Sequence, residues 1–369
     1  MTEPNLSFQP SEVSPPGDSL AELIEERGIA QAELARRMGR PQNAISEIVL
    51  GTKEITENTA LELERVLGTP AHFWLARESR YREFLARQRE AGRAGDRVQW
   101  LETLPLKQLQ DIKALPQGKL TAEFKESLIE PALRFFGVAS PEGWQEQYGR
   151  VQAAFRRANP AKQTDNAAIT AWLRLGERAA HGKDLPAYNA ELLHDSVTAM
   201  RALTTAPAAD IGTSLVQLCA KSGVVLAFVP PFKSTHVSGV ARWLGERPLI
   251  QMSLLGKWND VFWFSYFHEI AHILKHPKRA VFLDDASAGV TTQSKEEQEA
   301  NQFAAEVLIP PAKQRLLNQL ELNAASVRQF AKSIDIHPGI VVGSLQHHGR
   351  IPFGNVLTKL KDRYQIAAT

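Results

Sequence analysis

The sequence is poor in cysteine and has no long hydrophobic run. Its 369 residues include one cysteine, Cys219, so an internal disulfide is impossible and the chain suits a reducing compartment. The N-terminus lacks a basic segment followed by an apolar run, and no uncharged apolar stretch reaches the length of a membrane span. We therefore expect a cytoplasmic protein with no membrane segment. Hydrophobic residues make up 43% of the chain, enough for two or three domains with buried cores.

One apolar run contains two histidines and a glutamate, His268, Glu269 and His272, spaced as H-E-x-x-H. Histidines four residues apart lie on one face of a helix, about 6 Å apart along its axis, so both can reach one tetrahedral Zn²⁺. Zinc lowers the pKa of a bound water towards about 7, and Glu269 can take the proton as this water attacks a carbonyl. The pattern is typical of a metallopeptidase.

The surroundings of this motif favour a metal site over a pair of packed histidines. Aromatic and aliphatic residues precede and follow the motif, from Phe262 to Leu274, and predict a helix that is buried nearly all round. Burial of two imidazoles and a carboxylate without partners would cost several kcal/mol. A ligand for these groups is therefore expected.

Residues 294–310 predict a second helix, because apolar residues recur there at i, i+3, i+4, i+7 and i+8. Helical phase puts Glu297 on the inward stripe and Glu299 towards its edge. This favours Glu297 as the third metal ligand and leaves Glu299 as the alternative. Some acidic residues here are explained by the helix dipole alone. His276 is expected at the C-terminal end of the first helix rather than at the metal.

The segment before the motif predicts a small β-sheet. A helix at 211–220 precedes an apolar strand at 224–229, and strands at 237–244 and 248–253 flank a turn at Gly245. An edge strand beside the metal helix could bind an extended peptide through backbone hydrogen bonds.

The beginning of the chain predicts a tail followed by a helix-turn-helix. Residues 1–17 contain five prolines or glycines and little apolar periodicity, which predicts a disordered tail. Helical spacing begins after a cap at Asp18, and Gly39 permits a tight turn between two later helices. The predicted DNA contacts are of two kinds. The amide and hydroxyl groups of Gln42, Asn43 and Ser46, at the start of the second helix, can read base edges. Gln31, Arg40 and Lys53 are placed to contact DNA phosphates. A helical hairpin that contacts protein is the alternative.

This segment lacks an excess of positive charge. Residues 1–98 contain 13 Lys or Arg against 16 Asp or Glu, a net charge of −3. Binding to double-stranded operator DNA must therefore use a local basic face, and we expect a homodimer.

The middle of the chain carries no chemical motif. It is predominantly helical, and its aromatic residues are expected in a core rather than on a base-stacking surface: Trp144, Tyr148, Phe155 and Trp172. We predict an α+β, predominantly helical fold. Its parts are a disordered tail, 1–17, an all-α helix-turn-helix domain, 18–95, a helical linker domain, 96–205, and a C-terminal zincin-like domain with a small β-sheet, 206–369.

Two stretches resemble known families. HEIAH and the following EEQEANQFAAEVLIP resemble the ImmA/IrrE family of zinc metallopeptidases, and the likeness runs from VSGVARWLGERPLIQMS to HPGIVVGSLQHHGRIP, over about the last 160 residues. The resemblance implies that His268, His272 and Glu297 bind Zn²⁺, that Glu269 is the catalytic base, and that a DNA-bound repressor is cut. Residues 18–88, including GTKEITENTALELERVLGTPAHFWL, resemble the Xre-type, HigA-like antitoxin family.

The expected function is a DNA-binding transcriptional regulator that acts under stress or phage infection. Its zinc-dependent endopeptidase domain would relieve repression by cleaving a repressor or its own chain. The alternative is a HigA-like antitoxin or repressor, with a toxin as partner, whose peptidase-like domain only senses a ligand. Glu269 favours the first, because a sensor has no need of a general base.

Overall fold

The computed structural model describes residues 13–91, 94–158, 165–233, 235, 237–253, 258–276, 282–284 and 295–364. The chain divides into two units, Met1–Arg97 and Val98–Thr369. Across the described ranges it is mostly helical with a small β-sheet, which confirms the predicted fold class. Within these ranges, no helix combines the length and the apolarity needed to cross a bilayer.

The first unit is a helical bundle built around a helix-turn-helix. Its helices are α1 (Pro16–Glu26), α2 (Gln31–Met38), α3 (Gln42–Val49), α4 (Glu57–Leu67) and α5 (Ala71–Ala91). Gly39 ends α2 with a φ of 65°, a left-handed conformation that glycine adopts without strain. The inward sides of α2 and α3 share one core, in which Leu34, Ala35, Ile45 and Ile48 are buried. The predicted turn at Gly39 is therefore confirmed.

The first helix begins earlier than the sequence pattern indicated. We expected a cap at Asp18, but α1 begins at Pro16 and has no side-chain cap. The fixed φ of proline suits the first helical position. Gly17 is also helical and buried. This position suits glycine, because a β-carbon there would lie 2.2 Å from the carbonyl oxygen of Ile48 in α3. Residues 16 and 17 are thus part of the bundle, and residues 1–12 of the expected tail lie outside the described residues.

The second unit contains more helices and the β-sheet, and α6 (Ala94–Glu102) spans the boundary between the units. The other helices before the metal motif are α7 (Leu106–Asp111), α8 (Ala122–Ser127), α9 (Ile129–Phe136), α10 (Pro141–Ala158), α11 (Asn166–Ala180), α12 (Ala190–Ala202) and α13 (Ala208–Lys221). Those from the motif onwards are α14 (Asn259–Lys275), α15 (Lys295–Leu308), α16 (Pro311–Asn318), α17 (Ala324–Ser333) and α18 (Pro338–His347).

The sheet has the strand order β1-β3-β2-β4 in the described part of the chain. Its strands are β1 (Val225–Phe228), β2 (Gly239–Leu244), β3 (Arg247–Met252) and β4 (Phe282–Asp284). β1 runs parallel to β3, whereas β2 is antiparallel to both β3 and β4. The β2–β3 turn places Gly245 at a φ of 63°, as a two-residue hairpin turn with glycine in its first position requires. The first three strands match the predicted ones closely. The three-residue β4 was not predicted, since it is defined by its pairing with β2.

Helix α11, which ends before residue 205, packs directly on this sheet. The indole of Trp172 in α11 donates a hydrogen bond to the Val229 carbonyl at 3.0 Å, and Gln251 in β3 donates to the Trp172 carbonyl at 2.7 Å. Gly176 permits this approach, because a β-carbon there would overlap the Gln251 side chain. Residues 98–205 consequently share one unit with the sheet, and the predicted boundary at 205 does not divide compact units.

A second link between α11 and the sheet is ionic. Glu177 in α11 accepts hydrogen bonds from Arg242 in β2 at 2.7 Å and from Arg174 at 2.8 Å. Tyr148 in α10 also donates to this carboxylate, at 3.2 Å. Burial and the Glu177 carboxylate raise the pKa of Tyr148, so its hydroxyl stays protonated and remains a donor.

Aromatic residues of the middle segment belong to this core. Trp144, Tyr148 and Trp172 are buried, and the rings of Trp144 and Tyr148 pack against Phe136. The side chain of Phe155 lies outside the described part. The buried rings have the predicted role.

Helix α14 lies in the centre of the second unit. Phe262, Trp263, Tyr266, Phe267 and Ile270 are buried in one large cluster with residues of the sheet and of α12, α13, α15, α17 and α18. The helix is therefore buried in apolar contacts over most of its length, as its sequence predicts, while Asp260 near its start pairs with Lys361.

Candidate metal centre and nucleic-acid interface

Helices α14 and α15 bring three candidate ligands to one point. His268 and His272, one turn apart on α14, have their Nε2 atoms 2.9 Å from each other. The Glu297 carboxylate of α15 lies 3.2 Å from His268 Nε2 and 3.6 Å from His272 Nε2. Among the described residues these three form a group whose donor atoms all lie within 4.8 Å of one another. Two imidazoles and a carboxylate are a donor set that suits Zn²⁺.

Burial favours the neutral form of His272. His268 and His272 are 1% and 2% exposed, and the Glu297 side chain is half-buried. Desolvation, followed by the proximity of His268 and His276, lowers the pKa of His272 to about 2. A neutral imidazole is the form that binds a metal.

Glu269 points from α14 towards the sheet. Its side chain is fully buried, and a β-carbon on Gly239 in β2 would lie 2.8 Å from Glu269 Oε1. Glycine at position 239 therefore makes room for the carboxylate. The register of β2 and β4 pairs Gly239 with Asp284, so this carboxylate lies beside the end of the sheet where β4 is the edge.

The outer nitrogens of both histidines have side-chain partners. His268 Nδ1 lies 3.0 Å from Asn301 Oδ1 on α15. His272 Nδ1 lies 2.8 Å from His276 Nδ1, and His276 Nε2 lies 3.3 Å from Glu299 Oε2. His276 is the C-terminal cap residue of α14, where the sequence placed it, but its side chain contacts the site rather than only the end of the helix.

The two glutamates that helical phase left open thus have different partners. Glu297 approaches both histidine Nε2 atoms, whereas Glu299 contacts His276 and, at 3.5 Å, Lys295. The geometry supports Glu297 as the third ligand. Sequence reasoning did not single out Asn301 or Gly239. Asn301 follows Glu297 by one helical turn, and this spacing could have identified it.

The predicted DNA contacts occupy one region of the first unit. Gln42 and Asn43, at the start of α3, are exposed. Ser46, one turn later, donates a hydrogen bond to Gln31 Oε1 at the start of α2, at 3.0 Å. This bond holds the Gln31 amide in place next to the exposed face of α3.

The two cationic residues among the three expected phosphate contacts, Arg40 and Lys53, are engaged within the protein. Arg40 is half-buried and bonds Glu62 at 2.5 Å. Lys53 is exposed and lies 3.4 Å from Glu47. Glu62 and Glu47 therefore compete with DNA phosphates for these two cations.

Comparison with known proteins finds a family match for two regions of the chain. Residues 20–74 match the helix-turn-helix family model, and residues 260–329 match the peptidase family model described as the IrrE N-terminal-like domain. The second match includes all three candidate ligands and Glu269. The chain thus combines an Xre-type helix-turn-helix domain with an IrrE-like domain, which confirms both resemblances noted in the sequence. No curated protein matches the chain.

Two solved structures are similar to part of the chain. One is an antidote protein of a plasmid maintenance system from Nostoc punctiforme, 25% identical, with a TM-score of 0.21; the match covers 21% of this chain and 87% of that one. The other is an addiction module antidote protein of a HigA family from Coxiella burnetii, 31% identical, with a TM-score of 0.20; it covers 21% of this chain and 84% of that one.

Proposed function

We propose that this protein is a DNA-binding transcriptional regulator whose C-terminal domain is a zinc-dependent endopeptidase, and that cleavage of a repressor or of its own chain relieves repression. The observation that carries the proposal is the convergence of His268, His272 and Glu297 beside the buried Glu269. A purely structural histidine pair needs neither a third donor nor an adjacent carboxylate.

The three converging side chains would hold the metal. Both histidines offer Nε2, and Glu297 offers its carboxylate. Bound zinc supplies a Lewis acid that activates water and polarises a peptide carbonyl. The protein contributes a neutral imidazole at His272, because burial disfavours its charged form.

Glu269 is the proposed general base. Its carboxylate accepts a proton from the attacking water as the water oxygen bonds to the carbonyl carbon, and then delivers a proton to the leaving amine nitrogen as the C–N bond breaks. The absence of a side chain at Gly239 allows the carboxylate to be buried between α14 and β2.

Strand β4 is the proposed support for the substrate. It is the edge of the sheet next to Gly239, in the described part of the chain. An extended peptide could pair with such an edge through backbone hydrogen bonds, which place a scissile bond without demanding a particular sequence.

Helix α3 is the proposed reader of operator DNA. Its exposed Gln42 and Asn43 offer amide groups to base edges in the major groove. The net charge of −3 over residues 1–98 makes a homodimer useful, because two copies double the number of phosphate contacts. A toxin is a further candidate partner if the chain acts as an antidote.

Glu269→Gln tests the proposal. The amide keeps the shape and both histidines, so metal and DNA binding should persist, but it cannot accept the proton. A reporter on the native promoter should stay uninduced under DNA damage or phage infection, and an immunoblot should lack the cleavage fragment that wild type gives. Induction like wild type, with no fragment of any partner or of the chain, would replace the peptidase by a ligand sensor.

A further inference from the structure

A chain of three side chains extends from the candidate metal centre to the surface of α15. It starts at His272 Nδ1, continues through both ring nitrogens of His276 and ends at Glu299 Oε2, with separations of 2.8 and 3.3 Å. The side chain of His276 is 3% exposed, whereas that of Glu299 is 40% exposed. These three side chains therefore connect a buried candidate ligand to a carboxylate in contact with solvent.

The geometry permits one arrangement of protons when His272 binds a metal. Nε2 of His272 faces His268 and Glu297, so it must offer its lone pair to the metal. The proton of a neutral imidazole then lies on Nδ1, which donates to His276 Nδ1. His276 must in turn carry its proton on Nε2, and this N–H points to Glu299. Each hydrogen bond has one donor and one acceptor in this order.

The two ends of this series of side chains belong to different helices. His272 and His276 lie on α14, and Glu299 lies on α15, two residues after Glu297. The chain consequently fixes the ring orientation of His272 and also ties together the helices that supply the ligands. Lys295 contacts the other oxygen of Glu299 at 3.5 Å, which leaves Oε2 for His276.

We propose that His276 is a positioning residue, which with Glu299 holds His272 in the tautomer and ring orientation that bind the metal. The proposal rests on the proposed metallopeptidase function, since it assumes that His272 is a ligand. Hydrogen-bonded partners of metal-binding histidines raise metal affinity by about 10- to 100-fold. His276 is thus neither a fourth ligand nor only a helix cap.

The test measures zinc affinity of the full-length protein by competition with a chromophoric chelator, together with the absorption spectrum of the cobalt-substituted protein. His276→Ala and His276→Phe should weaken zinc binding about 10- to 100-fold. His276→Asn should recover most of the lost zinc affinity, because its side-chain oxygen can accept a hydrogen bond from His272 Nδ1–H. Glu299→Gln should weaken binding by up to about tenfold, since an amide is a poorer acceptor than a carboxylate. The cobalt spectrum should change in the alanine variant.

Glu306→Gln is the matched control, because Glu306 is an exposed glutamate on the same helix that accepts a hydrogen bond from Gln302. It should bind zinc like wild type. The melting temperature of each metal-free variant shows whether it folds, and Glu299→Gln and His276→Asn decide the matter if the alanine variant does not. Zinc affinities equal to wild type in folded His276 and Glu299 variants would overturn the positioning role alone. Wild-type protein that binds no zinc would overturn the metal centre itself.

Discussion

Removal of Glu177 should destabilise the whole second unit. This carboxylate accepts hydrogen bonds from Arg242, Arg174 and Tyr148, which come from a strand and two helices. The side chains of Arg242 and Glu177 are 8% and 13% exposed, and that of Arg174 is 25% exposed. Glu177→Ala therefore leaves one guanidinium buried without its counter-charge and a second one partly so.

The expected loss of stability in Glu177→Ala follows from the burial of these side chains. Loss of one partner of a buried ion pair costs about 3–5 kcal/mol, and the partial exposure of Arg174 favours the lower half of that range. For a unit of this size, about 3–4 kcal/mol corresponds to a fall in melting temperature of roughly 6–15 °C. Glu177→Gln keeps the shape and one acceptor oxygen, so it should cost about 1–3 kcal/mol.

Differential scanning calorimetry of the full chain measures the effect. The transition of the second unit should shift as one peak, because α11 and the sheet share the buried network, and the first unit should be unaffected. Glu146→Ala, which removes an exposed glutamate on α10, should change little. Two separate transitions within the second unit, of which Glu177→Ala lowers only one, would show that residues 98–205 fold independently of the sheet and would refute the reasoning.

Three further predictions concern the proposed sites. Glu297→Ala should lower zinc content from about one ion per chain, because two histidines alone hold the ion weakly; elemental analysis measures this. Gly239→Ala should retain zinc but reduce substrate cleavage, since its methyl group would displace the Glu269 carboxylate; a peptide-cleavage assay and zinc analysis of the same preparation separate the two. Gln42→Ala should weaken binding to the native promoter more than to unrelated DNA, whereas Arg40→Ala should weaken both alike; gel-shift titrations at fixed salt measure both.

Specific results would contradict each of these. Full zinc content in Glu297→Ala, with loss in Glu299→Ala, would reverse the assignment of the third ligand. Wild-type cleavage by Gly239→Ala would mean that Glu269 does not depend on the space beside β2. Unchanged DNA binding by Arg40→Ala would mean that its pairing with Glu62 excludes it from the phosphates.

The local features of this protein could be read from its sequence because neighbouring residues produce them. His268 and His272 share a face on any α-helix, and Gly39 supplies a left-handed turn between α2 and α3 whatever surrounds it. The spacing of apolar residues along α15 likewise favoured Glu297 as the third ligand, since the period of a helix determines which residues share its inward face. The family resemblances rest on these same local stretches.

Only the tertiary structure decided the contacts between distant segments. Glu177 meets Arg242 across 65 positions, and Gly239 lies against Glu269 only because β2 packs on α14. Neither pair shares a helical or strand period, so no pattern along the chain connects them. The partner of His276 was hidden for the same reason, since a histidine at the end of a helix has several equally reasonable roles until a second helix places a carboxylate such as Glu299 beside it.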